Sequence, residues 1–128
     1  MKDGPVSVVL VEDNQVFREA LELLLGLRED IDVVASVADG NDAVPACVEH
    51  KPDVVVMDYQ LPGLDGVQAT RAVVATCPDT KVVVLTASAN LREMRALEEA
   101  GAVACLTKDQ DLDEIVGAIL RAGGRELS

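Results

Sequence analysis

With 128 residues and a formal net charge of −12, the chain fits one domain whose surface repels a phosphate backbone. Hydrophobic residues make up 49% of it, mostly Val, Ala and Leu, with one Phe, one Tyr and no Trp; the core is expected to be aliphatic, and the scarcity of aromatics on which bases could stack argues, with the charge, against direct nucleic-acid binding. The apolar runs are far shorter than a membrane span and Met1 to Pro5 carries no signal-peptide pattern, so the chain reads as soluble and cytoplasmic, with no membrane contact.

Val6 to Val11 opens the chain as a nearly unbroken β-branched run, the pattern of a strand buried on both faces of a parallel sheet. A first helix follows from the spacing of Phe17, Ala20, Leu21 and Leu24. Val33 to Val37 is a more mixed strand, suited to a sheet edge, and about Asn41 to His50 reads as a second helix with Pro45 tolerable only in its first turn. Val54 to Met57 is a central strand, followed by a third helix, Gly66 to Thr76, which ends before Pro78. Val82 to Leu85 is the next central strand, and Leu91, Met94 and Leu97 mark the fourth helix. Ala102 to Thr107 is the second edge strand. The last helix carries the stripe Leu112, Ile115, Val116, Ile119 and Leu120, with Asp111 and Glu114 spaced as a capping box and Gly123 as its stop.

Five alternations of strand and helix predict an α/β fold, an open doubly wound parallel sheet with helices on both faces. Right-handed crossovers then bring the carboxyl ends of all strands to one edge, where this architecture binds its ligands. Residues 1–123 are expected to form the domain, and 124–128 to begin a linker. Cys47, Cys77 and Cys105 stand singly, odd in number and without C-x-x-C spacing, and read as buried or half-buried free thiols. His50 has no partner at ligand spacing and reads as a surface residue.

Each central strand is followed by polar residues. Glu12 and Asp13 follow the first, Asp58 the third, Thr86 the fourth and Lys108 the fifth. Singly, each has an ordinary explanation: Asp13 could cap a helix together with Asn14, Glu12 could favour the helix dipole, Asp58 could begin a turn, Thr86 could end a strand, and Lys108 could be a solvated charge. Packing gives no reason for three acids, a hydroxyl and an amine to converge above the middle of one sheet. Clustered carboxylates repel unless a cation shares them, and carboxyl oxygens with waters suit Mg²⁺. Phosphoryl transfer needs such positive charge around the equatorial oxygens, which Mg²⁺ and Lys108 would supply, with one hydrogen bond from Thr86. Asp58, the most central, is then the candidate nucleophile, with Glu12 and Asp13 toward the metal.

The ordered segments Val9–Asn14, Pro52–Asp58 with Leu61–Gly66, Val84–Ala87 and Gly101–Lys108 resemble those of response-regulator receiver domains of two-component signalling, and the likeness runs over roughly residues 6–122. The resemblance implies a flavodoxin-like five-stranded sheet of order 2-1-3-4-5 with five helices. It implies that Asp58 accepts a phosphoryl group from a sensor histidine kinase. Asp13, Asp58 and the backbone carbonyl of Gln60 would hold Mg²⁺, or Mn²⁺ in its place, with Glu12 nearby, in direct contact or through water. Thr86, Lys108 and the backbone N–H of Ala87 would contact the phosphoryl group. Such a domain catalyses only its own phosphorylation and dephosphorylation, and Gln60 and Ser88 would set the lifetime.

The segment Val16 to Leu21 and the ending Leu106 to Asp109 are most similar to the NarL/FixJ-like branch, whose output is a LuxR-type helix-turn-helix. DNA would then be met only through a C-terminal domain that these residues do not include, with homodimerisation on phosphorylation as a further expectation. One departure is Cys105, which stands where most such receivers carry Tyr or Phe. Coupling would then run from Thr86 and its loop to the last two helices by repacking around a small side chain. Cys105 slightly favours a rival, a pseudo-receiver that binds partners without being phosphorylated; the intact set Glu12, Asp13, Asp58, Thr86 and Lys108 opposes it. A Mg²⁺-dependent phosphatase would carry a second acid where Gln60 stands, and nucleotide binding lacks a G-x-G-x-x-G after the first strand.

Overall fold

The computed structural model describes residues 4–87 and 90–125. Its strands are β1 (Val6–Val11), β2 (Ile31–Val37), β3 (Val54–Asp58), β4 (Lys81–Thr86) and β5 (Ala104–Thr107), and its α-helices are α1 (Gln15–Gly26), α2 (Ala43–His50), α3 (Gly66–Thr76), α4 (Leu91–Ala100) and α5 (Leu112–Ala122). The strands pair in parallel in the order β2-β1-β3-β4-β5. Consecutive strand residues point to opposite faces, and β-branched runs fill both. Val6, Val8 and Leu10 meet Leu21 and Leu25 of α1 and Ile115 and Ile119 of α5. Val9 and Val11 share the other face with Cys47 of α2, Val73 of α3 and Leu97 of α4.

Element boundaries depart from the sequence pattern where hydrogen bonding overrides it. Pro45 has no N–H to give the carbonyl of residue 41, so 40–42 form a 3-10 turn capped by Asp39, and the α-helix begins at Ala43. Left-handed Gly101 closes α4, with Ala102 N still donating to Leu97 O at 3.0 Å, and β5 therefore starts at Ala104 rather than Ala102. Strand β2 begins earlier than its apolar run, at Ile31, which pairs with Val6.

The expected capping box at Asp111 is absent. The backbone carbonyl of Asp111 accepts from Glu114 N (3.0 Å) and Ile115 N (3.2 Å), which leaves its side chain without a capping role. The capping box lies instead at α3, where Asp65 accepts from Gln68 N (2.9 Å) and the Gln68 side chain accepts from Asp65 N (3.3 Å). Gly123 ends α5 as expected, although the left-handed residue behind it is Gly124.

In this strand order the chain leaves β1 in both directions, toward β2 and toward β3, and the crevice at that switch point opens above their carboxyl ends. The long β3–α3 loop is held over it. Gly66 N donates to Tyr59 O at 2.7 Å, and Gly40 N donates to Pro62 O at 3.0 Å. Gly63, at φ +79°, lies so close that a Cβ there would stand 2.2 Å from Asp39 Oδ1 and 2.3 Å from Asn41 Nδ2, so only glycine lets the two loops interlock.

Candidate functional site

Glu12 follows β1, Asp58 ends β3, Thr86 ends β4 and Lys108 follows β5, so the carboxyl edge brings all four together. Three of them are buried polar residues: Glu12 at 3% exposure, Asp58 at 5% and Thr86 at 3%. Lys108 Nζ lies 2.8 Å from Glu12 Oε1 and 3.3 Å from Asp58 Oδ1, which makes it the bridge between the two acids. Its backbone N donates to Thr86 O at 2.8 Å, tying the start of the β5–α5 loop to the end of β4. Asp13 is exposed at the outer side of the cluster, and one oxygen each from Glu12, Asp13 and Asp58 fall within 4.8 Å of one another.

The ordinary explanations account for these residues only in part, although Thr86 does end β4. Asn14, not Asp13, caps α1, its Oδ1 accepting from Phe17 N at 3.0 Å. Glu12 precedes the helix, and its Oε2 accepts from Asn14 N at 3.0 Å while its other oxygen faces Lys108. The turn explanation for Asp58 is met only by a long contact, Gln60 N to Oδ1 at 3.4 Å.

Burial is the largest influence on Asp58, and the hydrogen bond and charge of Glu12 add to it; against the opposing pull of Lys108 they push the carboxyl up to about 7. Burial pulls the Lys108 ammonium down, but its hydrogen bond to Glu12 and the charges of Asp58 and Glu12 outweigh that and leave it raised. Two buried acids thus share one cation and stay short of positive charge.

Gln60 sits beside Asp58, and Ala87 is exposed directly after Thr86. Ser88 lies outside the described residues. Cys105 is half-buried opposite Val84, its thiol pushed up by burial and then by Glu98. Cys47 is buried, Cys77 half-buried and His50 exposed, as the sequence suggested.

Two residues of the first turn of α1 join the site without having been singled out for it. Phe17 lies under the ammonium of Lys108, 4.8 Å from Nζ to ring centroid, and Arg18 Nη1 donates to Glu12 O at 2.8 Å. The helical stripe accounts for Phe17 as a core residue, and only its position one turn after the cap hints that it also reaches the rim.

The family model for the response regulator receiver domain matches residues 8–120. Among curated relatives, response regulator GacA of Pseudomonas aeruginosa is 37% identical over 125 residues, covering 96% of this chain and 58% of GacA. LiaR, a transcriptional regulatory protein of Bacillus subtilis, is 34% identical over 121 residues, covering 94% of this chain and 57% of LiaR. The chain spans about half the length of such relatives. The signal receiver domain of NarL from Mycobacterium tuberculosis superposes with a TM-score of 0.91 at 32% identity, over 97% of this chain and all of that one. The receiver domain of the sensor histidine kinase PA1611 of P. aeruginosa, solved with a magnesium ion coordinated in the active site cleft, gives 0.78 at 32% identity, over 94% of this chain and 98% of that one.

Proposed function

This chain belongs to the response regulator receiver family, and from that premise we propose that Asp58 is its phosphoacceptor, taking a phosphoryl group from a phosphohistidine of a sensor kinase. The supporting observation is the pairing of Asp58 with Glu12 and Lys108 at the buried carboxyl edge, a carboxyl raised to about 7 with an ammonium 3.3 Å away. No packing role requires that arrangement.

The donor set fits a hard divalent cation: three carboxylates converge within 4.8 Å, two buried and one open to water, with all-oxygen ligation. We assign Mg²⁺, or Mn²⁺ in its place, to Asp13 and Asp58 together with the backbone carbonyl of Gln60, with Glu12 alongside. When bound, the ion neutralises charge on the phosphoryl oxygens and favours ionised Asp58. An oxygen of ionised Asp58 would then attack phosphorus in line, forming an acyl phosphate as the P–N bond to the donor imidazole breaks; the departing imidazole nitrogen takes up a proton from solvent. Lys108, already oriented by Glu12, pairs with a phosphoryl oxygen. The Thr86 hydroxyl and the Ala87 N–H donate to the others, and Gln60 borders the path of water in hydrolysis. The chain modifies only itself and turns over no separate substrate.

The relatives' names point to transcriptional regulation, so we read the domain as the cytoplasmic input part of a longer regulator that meets DNA through another domain and pairs with a second copy when phosphorylated. Among the described residues no helix is long and apolar enough to cross a membrane. The intact rim disfavours a pseudo-receiver. Incubation with acetyl phosphate and Mg²⁺ followed by intact-mass measurement should show one added phosphoryl group, absent with chelator and absent in Asp58→Asn. An unmodified wild-type chain under conditions that label a working receiver would establish the pseudo-receiver instead.

A further inference from the structure

We propose that Phe17 is a positioning residue for the reaction at Asp58, its ring holding the Lys108 ammonium in the gap between Glu12 and Asp58. The inference rests on Asp58 being the phosphoacceptor. Lys108 stands between two unequal attractions, Glu12 at 2.8 Å and Asp58 at 3.3 Å, and its side chain is 22% exposed. Left to the carboxylates alone, the ammonium would settle on the nearer acid and turn its remaining protons to water. The Phe17 face covers that side. At 4.8 Å from Nζ to centroid it lies inside the range of a cation–π contact, which compensates part of the lost hydration. Being uncharged, the ring does this without accepting a proton or competing for the metal.

The position of the ring is set by the same turn that shapes the acid cluster. Asn14 N donates to Glu12 Oε2, Asn14 Oδ1 accepts from Phe17 N, and Arg18 Nη1 donates to Glu12 O. From behind, Phe17 packs against the core beneath α1 and α5, a cluster that Leu106 and Leu112 also flank. One helical turn therefore fixes the carboxylate that orients Lys108 and the surface against which Lys108 rests. Phe17 is the only phenylalanine of the chain, in a core otherwise built from aliphatic residues that could have filled the same space.

A pre-placed ammonium spares the reaction the cost of recruiting it as charge develops on the phosphoryl oxygens. Removing the ring should weaken what depends on Lys108 and spare what depends on the carboxylates. Phe17→Leu keeps an apolar side chain and removes the π face, whereas Phe17→Tyr keeps both. The leucine variant should be phosphorylated by acetyl phosphate about three- to tenfold more slowly and bind beryllofluoride, a phosphoryl mimic, more weakly by a similar factor, the size expected of a half-buried cation–π contact. Its Mg²⁺ affinity should stay at the wild-type value, and the tyrosine variant should recover most of the rate. In a Lys108→Met background Phe17→Leu should change nothing further.

Wild-type rates in Phe17→Leu, failure of tyrosine to restore them, or a parallel fall in Mg²⁺ affinity would each overturn the proposal. The contact has a signature of its own, since the ring should move the Lys108 Cε proton signals upfield in wild type and release them in Phe17→Leu; absence of that shift removes the contact whatever the kinetics. Labelling of wild type that is lost in Asp58→Asn but untouched by Phe17→Leu would sink the role of Phe17 alone, and no labelling of wild type would sink both.

Discussion

Asp53 and Asp58 stand at opposite ends of the β3 region, and the same side chain leads two different lives there. Asp53, at the amino edge, is satisfied by its neighbour on β1. Its Oδ2 accepts from Ser7 N (3.0 Å) and Ser7 Oγ (3.2 Å), its own N–H donates to Ser7 Oγ (2.9 Å), and its carbonyl accepts from Lys81 N (3.0 Å). Close by, Thr80 Oγ1 donates to Pro52 O at 2.8 Å. Asp58, at the carboxyl edge, faces another acid and shares one lysine with it. A cavity of about 420 Å³ opens at the amino edge beside Cys47 and Cys77, yet burial, then Cys77, pushes the Cys47 thiol up to about 12, so it stays protonated and inert. A structural aspartate closes its hydrogen bonds locally; Asp58, the proposed phosphoacceptor, is left with a deficit that a cation or phosphoryl group would remove.

The sharpest way to break this contrast is to make one substitution at both ends. Asp58→Asn should abolish phosphorylation by acetyl phosphate altogether, while Asp53→Asn should leave its rate within about threefold of wild type, because no group at the amino edge approaches the reaction. Labelling of the Asp58→Asn chain at an undiminished rate would remove the distinction.

Stability should move the opposite way. Asp53→Ala leaves Ser7 N and Oγ without their acceptor in a part-buried place and should cost about 2 kcal/mol in urea unfolding, the usual range for hydrogen bonds to a charged group. Asp58→Asn, measured without metal near pH 8, should not destabilise the domain and should raise its melting temperature. A loss comparable to that of Asp53→Ala would mean that Asp58 belongs to the scaffold after all.

Much of this was legible in the sequence because two patterns reinforce one another. Valine runs such as Val54 to Met57 identify strands buried on both faces, and once strand and helix alternate, chirality alone delivers Glu12, Asp58, Thr86 and Lys108 to one edge. Other features escaped because the same local signal has two outcomes. Asp-x-x-Glu at 111–114 and Asp-x-x-Gln at 65–68 look alike, but only the second forms a capping box, since the Asp111 backbone carbonyl already meets the first-turn donors. Phe17 was hidden for a related reason. Helical periodicity explains its buried side fully, and nothing in the spacing of the chain tells that a lysine from the β5–α5 loop crosses its other face. The direct bond between Glu12 and Lys108 likewise joins two loops whose approach only the folded sheet determines.

The smallest and most specific test concerns the proton that Asp58 holds in the metal-free domain. Its carboxyl is raised to about 7 in the folded chain, whereas an unfolded chain ionises near the ordinary value of 3.8. For an acid shifted upward, the contribution to stability is complete below the unfolded value and is lost as pH climbs through the folded one. With chelator present, this group should therefore remove on the order of 1–2 kcal/mol between pH 4 and 8, after allowance for relaxation around the pair. Other groups titrate over the same span, so the difference made by Mg²⁺ isolates the site. A cation bound as proposed would displace the proton and supply what the ionised pair lacks; hence Mg²⁺ should raise the melting temperature clearly at pH 8 and far less at pH 5, where it must compete with that proton. Equal gains at both values would mean that the ion binds without meeting Asp58, and the contrast between the two ends of β3 would lose its physical basis.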